Sequence, residues 1–210
     1  MSILQDLLAW IATVPPLAWP VLVFVCGYTE HVFPPAPADT AMLLAFFLAA
    51  REGDQLLATM VVAAIVGSVL GAWTAFRLGR RYGDRILSRL ARRPRLARWL
   101  ERVEDLLQRR GEPVMALNRF LPGARNVMHY VAGAVGLRAG ASIAWSTLSN
   151  ILFVALLAAI GRTSGGSLEV LFMGYRDAVR GLGIVAGLAA IVWLALGIRR
   201  RLSRARRDPA

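Results

Sequence analysis

Glu30 and Asp39 bracket a proline run, Pro34-Pro35-Ala36-Pro37, in the middle of the otherwise apolar stretch Leu17–Ala50. Arg119 and Arg125 bracket Pro122-Gly123 in a second apolar stretch, Pro113–Leu137. A histidine lies beside or near each set, His31 next to Glu30 and His129 just after Arg125. Arginine at the centre of a membrane span costs about 2.5–3.5 kcal/mol on insertion scales. Two acids and two arginines at that depth therefore give each other a reason to be there, because an unpaired buried charge is costly. Guanidinium groups bind phosphate through paired N–H donors, and a phosphate competes with carboxylate for them. Carboxyls displaced from arginine and held away from water gain affinity for protons. His31 and His129 titrate in the range that a proton relay needs. The chemistry expected is anion binding by Arg119 and Arg125 with proton uptake on Glu30 or Asp39. A purely structural ion-pair lock is the alternative use of the same four residues, and the histidines then stand by as packing groups.

The elements that must position these groups are membrane helices. The chain of 210 residues is 57% hydrophobic and only 18% charged, where ordinary globular domains carry about a quarter. Its apolar residues are gathered into runs without charge: 21 residues at Leu56–Phe76, 23 at Ala139–Gly161 and 18 at Gly181–Ile198. Each approaches the ~20 residues that cross a hydrocarbon core. Three transmembrane helices are expected, over 56–78, 139–161 and 181–198.

The two interrupted stretches do not fit that pattern. Proline lacks an N–H donor and clashes with the preceding turn, so three in four residues end a helix. Irregular backbone at membrane depth survives only under protein or beside a water-filled cavity. Re-entrant hairpins over 17–50 and 113–137 are expected, with Pro34, Pro35, Pro37, Pro122 and Gly123 making the breaks.

Charge sets the threading. The net charge is +12 and all 25 basic residues are arginine. Residues 77–110 hold twelve arginines against four acids, and the tail 199–210 holds six against one. Basic loops stay in the cytoplasm, so both segments belong inside. The first hairpin then opens from the periplasmic side and the second from the cytoplasm. The architecture expected is an all-α membrane protein with two oppositely oriented re-entrant helical hairpins and three transmembrane helices, an inverted repeat. In transporters of that design the broken segments meet near the midplane and form the substrate site. The basic residues are read as topology and contact with anionic lipid head groups, with no nucleic acid as partner.

Several smaller features follow. Residues 1–14 lack a basic n-region and meet Pro15-Pro16 without a cleavage site, so they read as a short interfacial helix. Within the cytoplasmic linker 79–112, Leu96, Trp99, Leu100, Val103 and Leu107 form an apolar stripe among arginines, suited to lying on the leaflet. Gly67-x3-Gly71 and Gly79-x3-Gly83 are spaced for close helix packing, within the chain rather than between copies. Trp10, Trp19, Trp73, Trp145 and Trp193 read as interfacial belt residues. The lone Cys26 excludes an intrachain disulfide, and nothing gathers a metal site. No cofactor and no enzymatic nucleophile are expected, and the oligomeric state stays open, a homodimer among the alternatives.

Three of these motifs together resemble the DedA family, also called the SNARE-associated Golgi or VTT-domain family. Glu30, followed by Pro34-Pro35, Pro37 and Asp39, resembles its acid, proline and acid element. Gly67, Gly71, Gly79 and Gly83 resemble its glycine-spaced element, and Arg119-Phe120-Leu121-Pro122-Gly123-Ala124-Arg125 with Ala132-Gly133 its arginine element. The resemblance implies a bacterial cytoplasmic-membrane protein, multi-pass with its C-terminus inside, that moves a phospho-lipid across the bilayer. Undecaprenyl phosphate or a phospholipid such as phosphatidylethanolamine is the implied cargo, with dependence on the proton-motive force. It also implies that Glu30, Asp39, Arg119 and Arg125 are the functional charges. Departures occur at Ala38, Asp39, Ala72, Phe76, His129 and Asn150, where the family commonly has serine, glutamate, an acid, tyrosine, proline and glycine. A proton-driven cation exchanger and a non-transporting assembly factor are the competing functions.

Overall fold

The computed structural model describes residues 13–32, 38–90, 92, 94–120 and 125–181. After a turn at Pro16–Ala18 come helices α1 (Trp19–Val32), α2 (Ala38–Glu52), α3 (Asp54–Leu90) and α4 (Pro94–Arg110). A 3₁₀ stretch, Glu112–Phe120, leads to α5 (Arg125–Ala134) and α6 (Ala139–Thr163), and residues 168–181 form α7. There is no strand among the described residues. Pro34, Pro35, Pro37, Pro122 and Gly123 lie outside the described residues, as do the tail and most of the segments 1–14 and 181–198. Pro94 occupies the first position of α4, where its missing N–H costs nothing.

The frame is α3. A Cβ added at Gly67 or Gly71 would come within 2.2 and 2.4 Å of the Phe24 and Tyr28 carbonyl oxygens of α1. A Cβ at Gly79 would come within 2.1 Å of the Tyr130 carbonyl oxygen of α5, and one at Gly83 within 2.5 Å of the Ala134 Cβ. The contacts are reciprocal: Gly27 of α1 lies against Ala64 and Ser68, and Gly133 of α5 against Phe76 and Arg80. A shift of 12 along α3 and 106 between α1 and α5 turns one crossing into the other, residue for residue. The numbers rise together on both partners, so α1 and α5 run parallel to α3 at crossings about 18 Å apart. Only glycine lets two helix backbones approach this closely. The glycine spacing thus serves packing within the chain.

Around this frame lie two apolar clusters. One joins α1, α2, α3, α6 and Leu171 through Met42, Phe46, Phe47, Met60 and Leu157. The other joins the second half of α3 to the 3₁₀ stretch and α5 through Phe76, Met115 and Met128. Leu100, Val103 and Leu107 of α4 belong to that second cluster. The part of the linker stripe that they form is turned into the protein, where the sequence suggested a leaflet; an amphipathic pattern says that a face is covered, not by what. Trp19 is likewise buried and donates its indole N–H to the Val14 carbonyl at 2.8 Å, whereas Trp73 and Trp145 are exposed. The first span also outruns its charge-free stretch, continuing to Leu90 with a kink at Tyr82 (φ −127°, ψ 15°). Arginine ends an apolar run without ending the hydrogen-bond ladder of a helix.

Asp54–Gly83 and Ala139–Thr163 are long and apolar enough to cross a membrane, at 30 and 25 residues. Val62, Val66 and Leu70 on α3 and Leu148, Ile151 and Leu152 on α6 are exposed. Apolar stripes of that length on the outside of a molecule suit lipid, not water. Ion pairs hold both ends of α6. Arg162 at the end of α6 donates to Asp54 at the start of α3, and Arg138 before α6 donates to Glu112 at 3.0 Å.

Gly79→Ala or Gly133→Ala forces two backbones apart, so each is expected to lower stability by about 1–3 kcal/mol in detergent unfolding, despite alanine's helix preference. Gly140, with nothing within 4 Å of its would-be Cβ, accepts alanine without loss. The hydrogen bond from Arg138 lowers the Glu112 pKa from 4.5 to about 2. A depressed carboxyl pKa stabilises the fold above the unfolded value and stops doing so as pH falls through the folded one. The melting difference between wild type and Glu112→Gln should therefore be constant above about pH 5 and vanish towards pH 2.

Candidate functional site

Glu30 stands in the last turn of α1 and Asp39 in the first turn of α2, on either side of the proline run. Asp39 thereby sits at the positive end of the α2 dipole, which favours its charge. Arg119 comes from the last turn of the 3₁₀ stretch. Nine residues of 3₁₀ geometry is long for that conformation and marks a segment held by its surroundings.

The structure brings these three groups into contact. Arg119 Nη2 lies 2.8 Å from Glu30 Oε1, and Nη1 lies 3.1 Å from Asp39 Oδ1. Nη2 also donates to the Asn150 side-chain carbonyl of α6. The guanidinium carbon stands 4.3 Å from the centre of the Phe153 ring, one turn further along α6. Arg119 is thus held by α1, α2 and α6 at once, with a side chain 3% exposed. Glu30 is 1% exposed and Asp39 19%, so the two acids differ in access although they share one arginine. One guanidinium and two carboxylates sum to −1; adding a proton or a second cation neutralises the set.

The histidines meet next to this group. Their rings are 5.0 Å apart, edge to face at 66°. Nδ1–H of His31 donates to the Gly27 carbonyl at 3.2 Å and lies 3.8 Å from Glu30 Oε1. His129 Nε2 shares a hydrogen bond with Ser146 Oγ at 2.8 Å, and Asn118 Nδ2 donates to the same hydroxyl at 3.5 Å. Tyr130 Oη donates to the Val32 carbonyl at 3.0 Å, which fixes α5 against the end of α1. The two histidines therefore sit between Ser146 and Glu30, joined to each other by ring contact. Arg125 opens α5, but its side chain is outside the described set.

Asn150, Ser146, Asn118 and Phe153 were not singled out as site residues in the sequence. The signal was faint but present. Ser142, Ser146, Ser149 and Asn150 follow a helical spacing of 4, 7 and 8 inside an uncharged span, and all four are buried. A polar face on a membrane helix points to protein or water. No group of three metal-ligating side chains occurs among the described residues.

A family model for the VTT domain matches residues 36–163, more than half of the chain. The chain belongs to the VTT-domain, or DedA, family. The matched region contains Asp39, Arg119, Arg125, His129 and Asn150 and begins just after Glu30 and His31. A Lactococcus lactis protein named alkaline phosphatase-like is 26% identical over 82% of this chain and 83% of its own. The Salmonella typhimurium inner membrane protein YghB is 28% identical over 77% and 78%. The Escherichia coli protein DedA is 24% identical over 67% and 64%. No solved structure matches the chain. The protein is thus a DedA-family membrane protein in which Glu30 and Asp39 converge on Arg119.

Removing one member of a buried charge set leaves the others uncompensated. Arg119→Ala is expected to destabilise the protein by about 3–5 kcal/mol, measured by unfolding in detergent. Adding Glu30→Gln to that variant should recover part of the loss, giving a positive coupling in a double-mutant cycle.

Proposed function

We propose that this protein carries a phospho-lipid head group across the cytoplasmic membrane together with protons. The observation that carries the reading is a single buried guanidinium shared by two carboxylates from the two broken segments. Phosphate suits the guanidinium fork better than two separate carboxylates do. When a phosphate engages Arg119 and Arg125, Glu30 and Asp39 lose their partner and take up protons. Asp39, the more exposed acid, exchanges protons with water first, and His31 and His129 relay them onward from Glu30. Loss of the phosphate lets the acids return to arginine and release those protons.

The broken segments are read as re-entrant. At 14 and 10 residues, α1 and α5 reach about 21 and 15 Å, short of a ~30 Å core. Their parallel run beside the two halves of α3 supports one entering from the periplasmic side and the other returning to the cytoplasm. The name "inner membrane protein" of the Salmonella relative supports the cytoplasmic membrane as location. Undecaprenyl phosphate or phosphatidylethanolamine is the cargo implied by the family, with the lipid tails left in the bilayer.

The dense contacts on Arg119, from Asn150 and Phe153 as well as the acids, favour a second reading, a structural lock. Reconstituted protein separates the two. Transbilayer movement of labelled phospho-lipid should exceed that of empty liposomes and respond to a pH gradient. Glu30→Gln, Asp39→Asn, Arg119→Ala and Arg125→Ala should each lower it at least tenfold while the folded protein is retained; about 1.4 kcal/mol of lost binding suffices for that. Movement no faster than in empty liposomes, with pH-driven cation flux instead, rejects the carrier. Variants whose folded fraction moves lipid as fast as wild type identify the lock.

A further inference from the structure

Beyond the central charge set, α3 presents a second place for phosphate. Arg77, Arg80 and Arg81 line an open groove of about 790 Å³ that ends at Tyr82 and is bounded by Ala139 at the start of α6. That volume lies within the ~300–1,000 Å³ of small-molecule sites. All three arginines are exposed, and none has an acidic partner among the described residues. Their neighbours are aromatic: the Arg77 guanidinium stands 5.9 Å from the Trp73 ring centre and that of Arg81 stands 5.5 Å from the Tyr82 ring. Such contacts orient a guanidinium while leaving its N–H donors for an anion.

What lies next to the groove selects the anion. Val66, Leu70, Trp73 and Arg77 fall at spacings of 4, 7 and 11, so they share one face of α3, and the first three are 45%, 46% and 40% exposed. Over about 16 Å that face passes from aliphatic through aromatic to basic. This is the order of acyl chain, interface and phosphate along a lipid. Free phosphate has no use for the aliphatic part, and a polyanion in water cannot reach it. We propose that the groove at Arg77, Arg80 and Arg81 is a head-group site for an anionic phospholipid of the cytoplasmic leaflet, with one acyl chain lying along Leu70 and Val66. The site rests on α3 crossing the bilayer with its arginine end inside, and does not require that the protein transport anything.

The test uses the full chain, purified in detergent, and phosphatidylglycerol with brominated acyl chains as quencher of tryptophan fluorescence. Brominated phosphatidylcholine is the neutral control, and the signal is assigned to Trp73 by its loss in Trp73→Phe. The Trp73 signal should be quenched at lower phosphatidylglycerol than phosphatidylcholine. Each of Arg77→Gln, Arg80→Gln and Arg81→Gln should weaken that preference about fivefold, and the triple variant should abolish it. Arg119→Ala should leave it unchanged, so loss of transport and loss of this site are read separately. Should the triple variant not fold, the single exposed Arg77→Gln decides. Equal quenching by both lipids in wild type, or a preference undiminished in Arg77→Gln, overturns the proposal. So does displacement of the lipid by inorganic phosphate at equal concentration, which would make the groove a site for a free anion.

Discussion

Arg119 is almost wholly enclosed, and a guanidinium cannot shed its charge to suit its surroundings. It must instead be met by acids and hydrogen-bond acceptors, and one helix cannot supply them all. Glu30 arrives from the end of α1, Asp39 from the start of α2 and Asn150 from the middle of α6. The positions of four chain segments are therefore tied to one side chain. The proline run between Glu30 and Asp39 has a physical purpose in this light. A continuous helix would set two residues nine apart along its axis by about 13 Å, too far to share an arginine. Breaking the helix between them lets both reach it.

Such convergence needs a rigid frame, and α3 provides it without charge. Its two glycine pairs hold α1 and α5 against it in crossings that superpose residue for residue. The correspondence matches the first arm of one broken segment with the second arm of the other. Close backbone contact gives large dispersion gain and little freedom, so the ends of α1 and α5 are aimed before the charges meet. Tyr130, bonding to the Val32 carbonyl, joins the two arms where His31 and His129 touch. In the same turns that point Gly79 and Gly83 towards α5, α3 exposes Arg77, Arg80 and Arg81, so one half of the helix both packs and presents a basic surface.

Much of this was legible in the sequence because charges in apolar runs and prolines in helices are costly wherever they occur. Glu30, Asp39 and Arg119 stood out on that ground, and the spans at Leu56–Phe76 and Ala139–Gly161 did so by length alone. Other parts were hidden for equally physical reasons. Asn150 carries no charge, so an apolar window absorbs it. His31 and His129 lie 98 positions apart, and no periodicity joins them. The stripe that includes Leu100, Val103 and Leu107 showed which face is covered but not that α5 and the 3₁₀ stretch cover it. The apolar run of α3 ends at Phe76, while the helix goes on to Leu90 through a kink at Tyr82 that no proline announces.

The contact between Arg119 and Glu30 inside a bilayer is open to direct observation. Solid-state NMR on protein in lipid, with ¹⁵N-labelled arginine and ¹³C-carboxylate-labelled glutamate, reports guanidinium nitrogens in direct contact with a carboxylate by strong dipolar dephasing. A dephased glutamate signal that disappears in Glu30→Gln, and also in Arg119→Lys, is the result the account predicts. A Glu30 carboxylate that shows no dephasing by any arginine contradicts it.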